Sequence, residues 1–361
     1  MKYFFYILLL TNITITAFAQ SATDFDIILK VKTSPLKDQQ SSATCWSFAT
    51  TSFIETEAVR RGKESISLSP IFYVQPTYLG KAKKFIEKKG NSYFAEGDQT
   101  FSVLYAYKKY GAIPEQVYNG IIEGDWQHDH VEMDDLLKNT VASIGTSGYG
   151  RIKPQSWKNA IEGVLKAYLG TPPATFEYKG KLYSPKTFAD EYVGINPDEY
   201  IEITSYKQSD FYKMFVLNIP ANWNENTYLN LPIKEFEKTI DYALENGYSL
   251  AWDGDASESF FDFKKGVLRL SSDQENIIIT QNLRQETFEN KTTTDDHNMH
   301  LIGKAQNKEG KIFYLLKNSE GKNDMGGYVY MSKNALLLKT ISVLVHKNGI
   351  PLDIKIKSNL K

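Results

Sequence analysis

The stretch Lys37-Asp38-Gln39-Gln40-Ser41-Ser42-Ala43-Thr44-Cys45-Trp46-Ser47-Phe48-Ala49 decides how the rest of the chain is read. A polar turn ends in Ser42 and Thr44, two hydroxyl residues that offer helix caps. Behind it Trp46, Ala49 and Phe53 recur at i, i+3 and i+7, with Ile54 and Ala58 on the adjacent row, so a helix follows. Arg60 and Arg61 fall in its last turn and Gly62 supplies the stop. Cys45 therefore lies in the first turn of a helix of about four to five turns. It is the one cysteine of the chain. No internal disulfide can form, and the thiol is either an inert buried hydrophobe or a reactive group. A free thiol, with a pKa of ~8.5, is mostly protonated at neutral pH. The positive end of a helix favours the thiolate, and so does an imidazolium brought from elsewhere in the chain.

Working outward, helical patterns occupy 69–90, 98–111 and 155–169, the second ending at Gly111 before Ala112-Ile113-Pro114. Beyond about residue 171 the period changes to that of strands. They are expected at 200–203, 215–219, 249–252, 267–270, 300–305, 311–317, 327–331 and 340–346, with a helix at 232–246. The fold class is α+β: a helical lobe over about 40–170, then a β-rich lobe over about 171–361 with a mostly antiparallel sheet. No repeat period is visible.

The chain has 361 residues, 42% of them apolar, and a net charge of −1. That supports a sizeable core and leaves no electrostatic footprint for nucleic acid. The lysine-rich run Lys81 to Lys89 reads as a solvated helix face. Lys2, the apolar run from Tyr3 to Leu10 and Ala17-Phe18-Ala19 give an expected signal peptide, 1–19, with a mature start at Gln20. Export to the periplasm or outside the cell is the expectation, with no stable membrane insertion after cleavage.

The Gln39 to Ala49 string resembles the nucleophile segment of papain-like cysteine peptidases, and more closely that of the bleomycin hydrolase and aminopeptidase C branch. The resemblance implies a papain-like two-lobe fold with a cleft between the lobes. It implies that Cys45 is the nucleophile and Gln39 the oxyanion-hole side chain, since a tetrahedral intermediate carries a negative oxygen that amide N–H groups can meet. Among five histidines, His297 in Asp295-Asp296-His297-Asn298-Met299-His300-Leu301-Ile302-Gly303 resembles the family's base, with Gly303 six positions on. His300 is the rival; three apart on a strand, the two point to opposite faces. Phe313 to Gly321 resembles the strand bearing the orienting asparagine, here Asn318. The family usually has Trp after the Asn-Ser pair, shielding the Asn–His bond; this chain has Glu320. Residues 93–114 resemble the cleft segment whose Gly-Gly pair meets an extended substrate, and here the pair is Gly97-Asp98. Gly97, Asp98 and Trp46 are the candidate substrate-binding residues.

Peptide or protein is the implied substrate, and no metal or organic cofactor is implied. His128-Asp129-His130 lacks a ligand cluster at diagnostic spacing and reads as a loop. His346 has no visible partner. In bleomycin hydrolases the C-terminus enters the cleft and makes the enzyme an aminopeptidase. Asn348 to Lys361 resembles only the start of that arm, and much of the insertion that builds the hexamers is missing. Exo- or endo-cleavage and the oligomeric state therefore stay open. No inhibitory propeptide is expected before the domain, 20–361. The alternative function is a catalytically weak scaffold that binds peptides or a protein partner, suggested by Glu320 and Asp98.

Overall fold

The computed structural model describes residues 24–122, 124–145 and 153–360. The expected signal peptide, 1–19, lies outside the described residues. Helices α1 (Cys45–Arg60), α2 (Val74–Glu87), α3 (Thr100–Tyr110), α4 (Val131–Gly145) and α5 (Pro154–Leu169) follow a first strand, β1 (Phe25–Lys30). Then come β2 (Phe176–Tyr178), β3 (Lys181–Tyr183), β4 (Tyr200–Thr204), β5 (Met214–Val216), β6 (Thr227–Asn230), α6 (Ile233–Glu245) and β7 (Leu250–Gly254). The chain continues through β8 (Phe261–Asp262), β9 (Val267–Leu268), α7 (Gln281–Glu289), β10 (His297–Asn307), β11 (Ile312–Lys317) and β12 (Tyr328–Ser332). Helix α8 (Lys333–Lys339), β13 (Thr340–His346) and α9 (Leu352–Lys357) follow.

The architecture is α+β and papain-like. Helices of the first half pack on a large sheet of order β5-β6-β4-β13-β7-β10-β11-β12-β9-β8, with β1 added on β10. The pairs are antiparallel except β4 with β6 and β9 with β12. Residues alternate between faces along a strand. Accordingly Ala251 and Leu344 join the core beneath the helices, while Leu250, Trp252, Val343 and Val345 join the core on the other face, under α6. Gly303 is where β1 runs closest to β10. A Cβ there would collide with the Leu29 carbonyl, so only glycine permits the approach.

Helix α1 is the central element, packed against β10, β7 and α3. Every residue from Cys45 to Ala58 is buried, including two carboxylates. Glu55 is met by Lys37 at 2.9 Å and the Leu68 N–H at 2.7 Å. Glu57 is met by Arg60 at 2.7 Å and the Tyr200 hydroxyl at 3.1 Å. Paired in this way, the two acids tolerate burial. The amphipathic reading of this segment undercounts its contacts, since a helix buried all round needs no polar stripe. Helix α4, absent from the sequence reading, carries Met133, Leu137 and Val141 at four-residue spacing, and these are its buried face.

Two expectations are corrected. Lys81 is not on a solvated face. It is 1% exposed and inserts among the carbonyls of Ala95 and Gly97, at 2.8 and 2.6 Å, and the Asp98 carboxylate, at 3.0 Å. His346 does have a partner: its Nε2 lies 3.5 Å from Glu199, and its ring stacks on Tyr248.

Candidate active site

Cys45 opens α1, so its backbone lies among the N–H groups that have no partner within the helix. The loop that delivers it is braced on both sides. Ser42 Oγ donates to the Gln39 carbonyl at 2.8 Å and lies 2.6 Å from Thr44 Oγ1. The Ala43 N–H donates to Glu96 Oε2 at 2.8 Å, while Glu96 Oε1 holds His130 Nδ1 at 2.5 Å. The His128 N–H donates to Gln40 Oε1 at 2.6 Å, and the Ser41 and His130 N–H groups exchange bonds with the carbonyls of His128 and Ser41. His128-Asp129-His130 is thus a clamp on the nucleophile loop. Sequence spacing could not show this, because its partner Glu96 comes from another segment.

Gln39 is fixed across the lobes. Its carboxamide oxygen accepts from Ser319 Oγ at 2.6 Å, its backbone N–H donates to the Ser319 carbonyl at 2.7 Å, and its Nε2 donates to the Ser42 carbonyl at 2.7 Å. One Nε2 proton remains beyond that bond.

His297 begins β10, and its ring lies near enough to Cys45 for the thiol to act on its protonation. Its Nε2 bonds Asn318 Oδ1 at 2.8 Å, which leaves Nδ1 for the thiol. Burial, the largest influence, pushes the imidazole down. The bond and charge of Cys45, the charge of Glu320 and the bond to Asn318 together outweigh it and raise the ring to about 9. Asn318 ends its own hydrogen-bond search nearby: Oδ1 also accepts from the Ser319 N–H at 2.9 Å, and Nδ2 donates to Glu320 Oε2 at 3.2 Å. Glu320 therefore does not merely leave the Asn–His bond uncovered; it orients the amide. Phe263 stands at right angles to His297, 6.1 Å between ring centroids, and supplies an apolar neighbour.

His300 takes the opposite strand face, as the spacing requires. It is fully buried, with Nδ1 2.9 Å from Ser52 Oγ, and burial together with the charge of Lys317 pushes it well below its usual range.

The three candidate substrate contacts are placed differently. Trp46 is 1% exposed and its indole donates to the Glu96 carbonyl at 3.1 Å, so it is a wall of the loop and offers no surface to a ligand. Asp98 is also buried: Oδ1 accepts from the Gln99 N–H and Ser102 Oγ at the start of α3, and Oδ2 takes Lys81 at 3.0 Å and Trp223 Nε1 at 3.0 Å. Asp98 was expected as a substrate contact; the buried Lys81 explains why its carboxylate is drawn inward. Only Gly97 stays half-buried, its carbonyl bonded to Lys81.

Beside Cys45, Asn298 Oδ1 lies 3.9 Å from the sulfur and Nδ2 donates to Asp253 Oδ1 at 2.9 Å. Asp295 Oδ1 accepts from Gln99 Nε2 at 2.6 Å. Burial raises Asp253 well above the usual carboxylate range and Asp295 to about 6, each helped by neighbouring negative charge. Asn298, Asp253, Asp295 and Gln99 were missed as site residues. Two flank His297 in sequence, which was the available signal.

Residues 94–359 match the Peptidase C1-like family. The chain is 23% identical over 367 residues to "Aminopeptidase G" of Lactobacillus delbrueckii subsp. lactis, covering 90% of this chain and 83% of that one. It is 22% identical to "Aminopeptidase C" of Streptococcus thermophilus with the same coverage. The solved structure of PepW from Lactobacillus rhamnosis superposes with a TM-score of 0.73 at 19% identity, over 92% of this chain and 84% of that one. The expected export is corrected by a further relative, "Cysteine proteinase 1, mitochondrial" of Saccharomyces cerevisiae, 21% identical over 92% of this chain and 79% of that one: the relatives do not place the chain among exported enzymes. Among the described residues no helix is long and apolar enough to cross a membrane.

Proposed function

The chain belongs to the Peptidase C1-like family and is a cysteine peptidase, and on that premise we propose that it hydrolyses peptide bonds through Cys45, His297 and Asn318, with Gln39 as oxyanion donor. The observation that carries this reading is the bond of His297 to Asn318 beside Cys45, with the imidazole raised to about 9 by Cys45, Glu320 and Asn318 against burial. A ring protonated through neutral pH supports an ion pair with the thiolate. The sulfur adds to the carbonyl carbon, and the oxygen takes the negative charge in front of Gln39 Nε2 and the first N–H groups of α1. His297 passes its proton to the amine nitrogen as the C–N bond breaks, leaving a thioester on Cys45. Water, deprotonated by His297, then attacks the thioester; the acid departs and the thiol pair is restored. Asn318 keeps the ring in the plane of both transfers.

Relatives named aminopeptidases support action at chain ends. The two residues that suggested a catalytically weak scaffold have other contacts: Asp98 pairs with Lys81, and Glu320 accepts from Asn318. The test is labelling with a thiol-directed epoxide, read by mass spectrometry. One label per chain on Cys45 at neutral pH, with loss of hydrolysis in parallel, is the expected result. Full labelling with undiminished hydrolysis would sink the mechanism.

A further inference from the structure

The β5–β6 hairpin leaves the edge of the sheet and reaches the helical lobe at the Asp98 end of the cleft. Its tip, residues 217–226, is set in one shape by Asn222. Nδ2 of that residue donates to the carbonyls of Leu217 and Asn226, both at 2.9 Å, and Oδ1 accepts from the Asn226 N–H at 2.7 Å. The tip then attaches to the other lobe. Trp223 Nε1 donates to Asp98 Oδ2 at 3.0 Å, and the indole lies on Gly80 of α2, where a Cβ would stand 2.7 Å from its edge. Glu225 pairs with Lys84 at 3.1 Å and reaches Lys88 at 3.9 Å. At the hairpin base the Tyr228 hydroxyl lies 3.5 Å from Gln99 Oε1, and Gln99 holds Asp295, two residues before His297. The hairpin thus spans the gap between the lobes beside the reacting groups.

Asn348 to Lys361 resembles only the start of the arm that closes the cleft in bleomycin hydrolases. Residues 352–360 are docked elsewhere. Lys357 pairs with Glu235 at 2.6 Å and Asp353 with Lys238 at 2.8 Å, both on α6, and Ile354 is buried in the core on the sheet face away from α1.

We infer that the 217–226 hairpin tip is the wall that ends the cleft beyond Asp98, with Trp223 as its anchor, so that the substrate must present its own N-terminus there. This rests on the peptidase reading above. The wall accounts for end-on access. The charge around it selects which end enters. Lys81, the buried cation of this region, is taken up by Asp98, and Lys84 on the rim is taken up by Glu225. Asp253 and Asp295 pair with no lysine or arginine among the described residues but bear on each other, which holds Asp253 in its neutral form and leaves Asp295, raised to about 6, to carry the negative charge. A region with this excess of acid attracts an α-ammonium and repels an α-carboxylate.

The experiment compares a fluorogenic peptide amide bearing a free α-amine with its N-acetylated twin, on the full chain, Trp223→Ala and Glu225→Lys. The parent enzyme is expected to prefer the free amine by at least a hundred-fold in kcat/KM. Trp223→Ala should cut that ratio ten-fold or more by gaining on the acetylated twin. Glu225→Lys replaces an exposed rim charge and keeps the core, so it gives the same direction, at a few-fold, even where the tryptophan variant does not fold. Equal use of both peptides by the parent enzyme overturns the proposal. So does an unchanged ratio in both variants, or a requirement for a free C-terminal carboxylate in a longer peptide. Absence of any Cys45-dependent hydrolysis would overturn the peptidase reading itself, and this wall with it.

Discussion

The two ends of the cleft are equally dry but differ in what they leave unspent. At one end Cys45, His297, Asn318 and Gln39 are between 5% and 7% exposed; at the other Lys81 and Asp98 are 1% and 4% exposed. Burial alone does not mark which end does chemistry. At the Asp98 end the charged pair is consumed inside the protein: both carboxylate oxygens and the ammonium have partners. At the Cys45 end capacity is left over: a second Nε2 proton on Gln39, the first N–H groups of α1, and an imidazole whose proton is balanced between burial and charge. A saturated polar network seals, and an unsaturated one of the same dryness reacts.

The sharpest way to break this contrast is at the sulfur. Cys45→Ala is expected to abolish turnover while the unfolding midpoint stays within a few degrees, because a methyl replaces a small buried thiol. Thermal melts and rate assays on the same preparation check it, and residual hydrolysis above the uncatalysed rate would mean that another group attacks.

Next in size, His297→Ala is expected to lose nearly all activity. His300→Ala is expected to cost stability instead, about 1–3 kcal/mol, since it strips a partner from Ser52 and opens a space beside Phe53. Steady-state rates and urea midpoints separate the two; a reversed pattern would place the base on the other face of β10.

A smaller effect belongs to the oxyanion donor. Gln39→Ala is expected to lower kcat by roughly ten- to a thousand-fold with little change in KM. Ser319→Ala frees the Gln39 carboxamide without deleting it, so it should fall short of that loss. An equal loss in both would mean that Gln39 acts only as a tie between the lobes.

The two ends were also unequally legible in the sequence. The Cys45 end is announced by local spacing: a polar turn, a cap, a helical period, and a glycine six residues after His297 whose missing Cβ admits β1. The Asp98 end is assembled from α2, the start of α3, the β5–β6 hairpin and the residues before β10, each contributing one or two side chains. No window of sequence holds two of the partners Lys81, Asp98 and Trp223 at a spacing that means anything by itself. A carboxylate beside Gly97 therefore looked like a substrate contact until a buried lysine claimed it. The same limit hid the clamp of His130 on Glu96. Helix α4 is a different case, since its four-residue apolar spacing is present in the sequence itself.

The finest probe of the contrast is Glu320, an exposed carboxylate bonded into the reacting end. It does two separable things: it accepts from Asn318 Nδ2 at 3.2 Å, and its charge helps raise His297. Glu320→Gln keeps an acceptor for Asn318 and removes the charge; Glu320→Ala removes both. A negative charge stabilises the imidazolium, so losing it lets the ring give up its proton at lower pH. The reactive form is the thiolate–imidazolium pair, and its alkaline limit follows the imidazolium, near pH 9 in the parent chain. In Glu320→Gln that limit should therefore move down, by less than one pH unit because an exposed charge is screened, with kcat at the optimum held within about two-fold. In Glu320→Ala the limit should move equally and kcat should fall as well, since Asn318 can then turn away from the ring. Raising the salt to 1 M should shift the parent's limit toward that of the glutamine variant, because screening then acts within a few ångströms. Profiles of kcat/KM against pH for the three chains at two salt concentrations read all of this. Superimposable alkaline limbs would show that the carboxylate acts only through Asn318. A kcat equal in the alanine and glutamine variants would show that the Ser319 N–H holds the asparagine unaided.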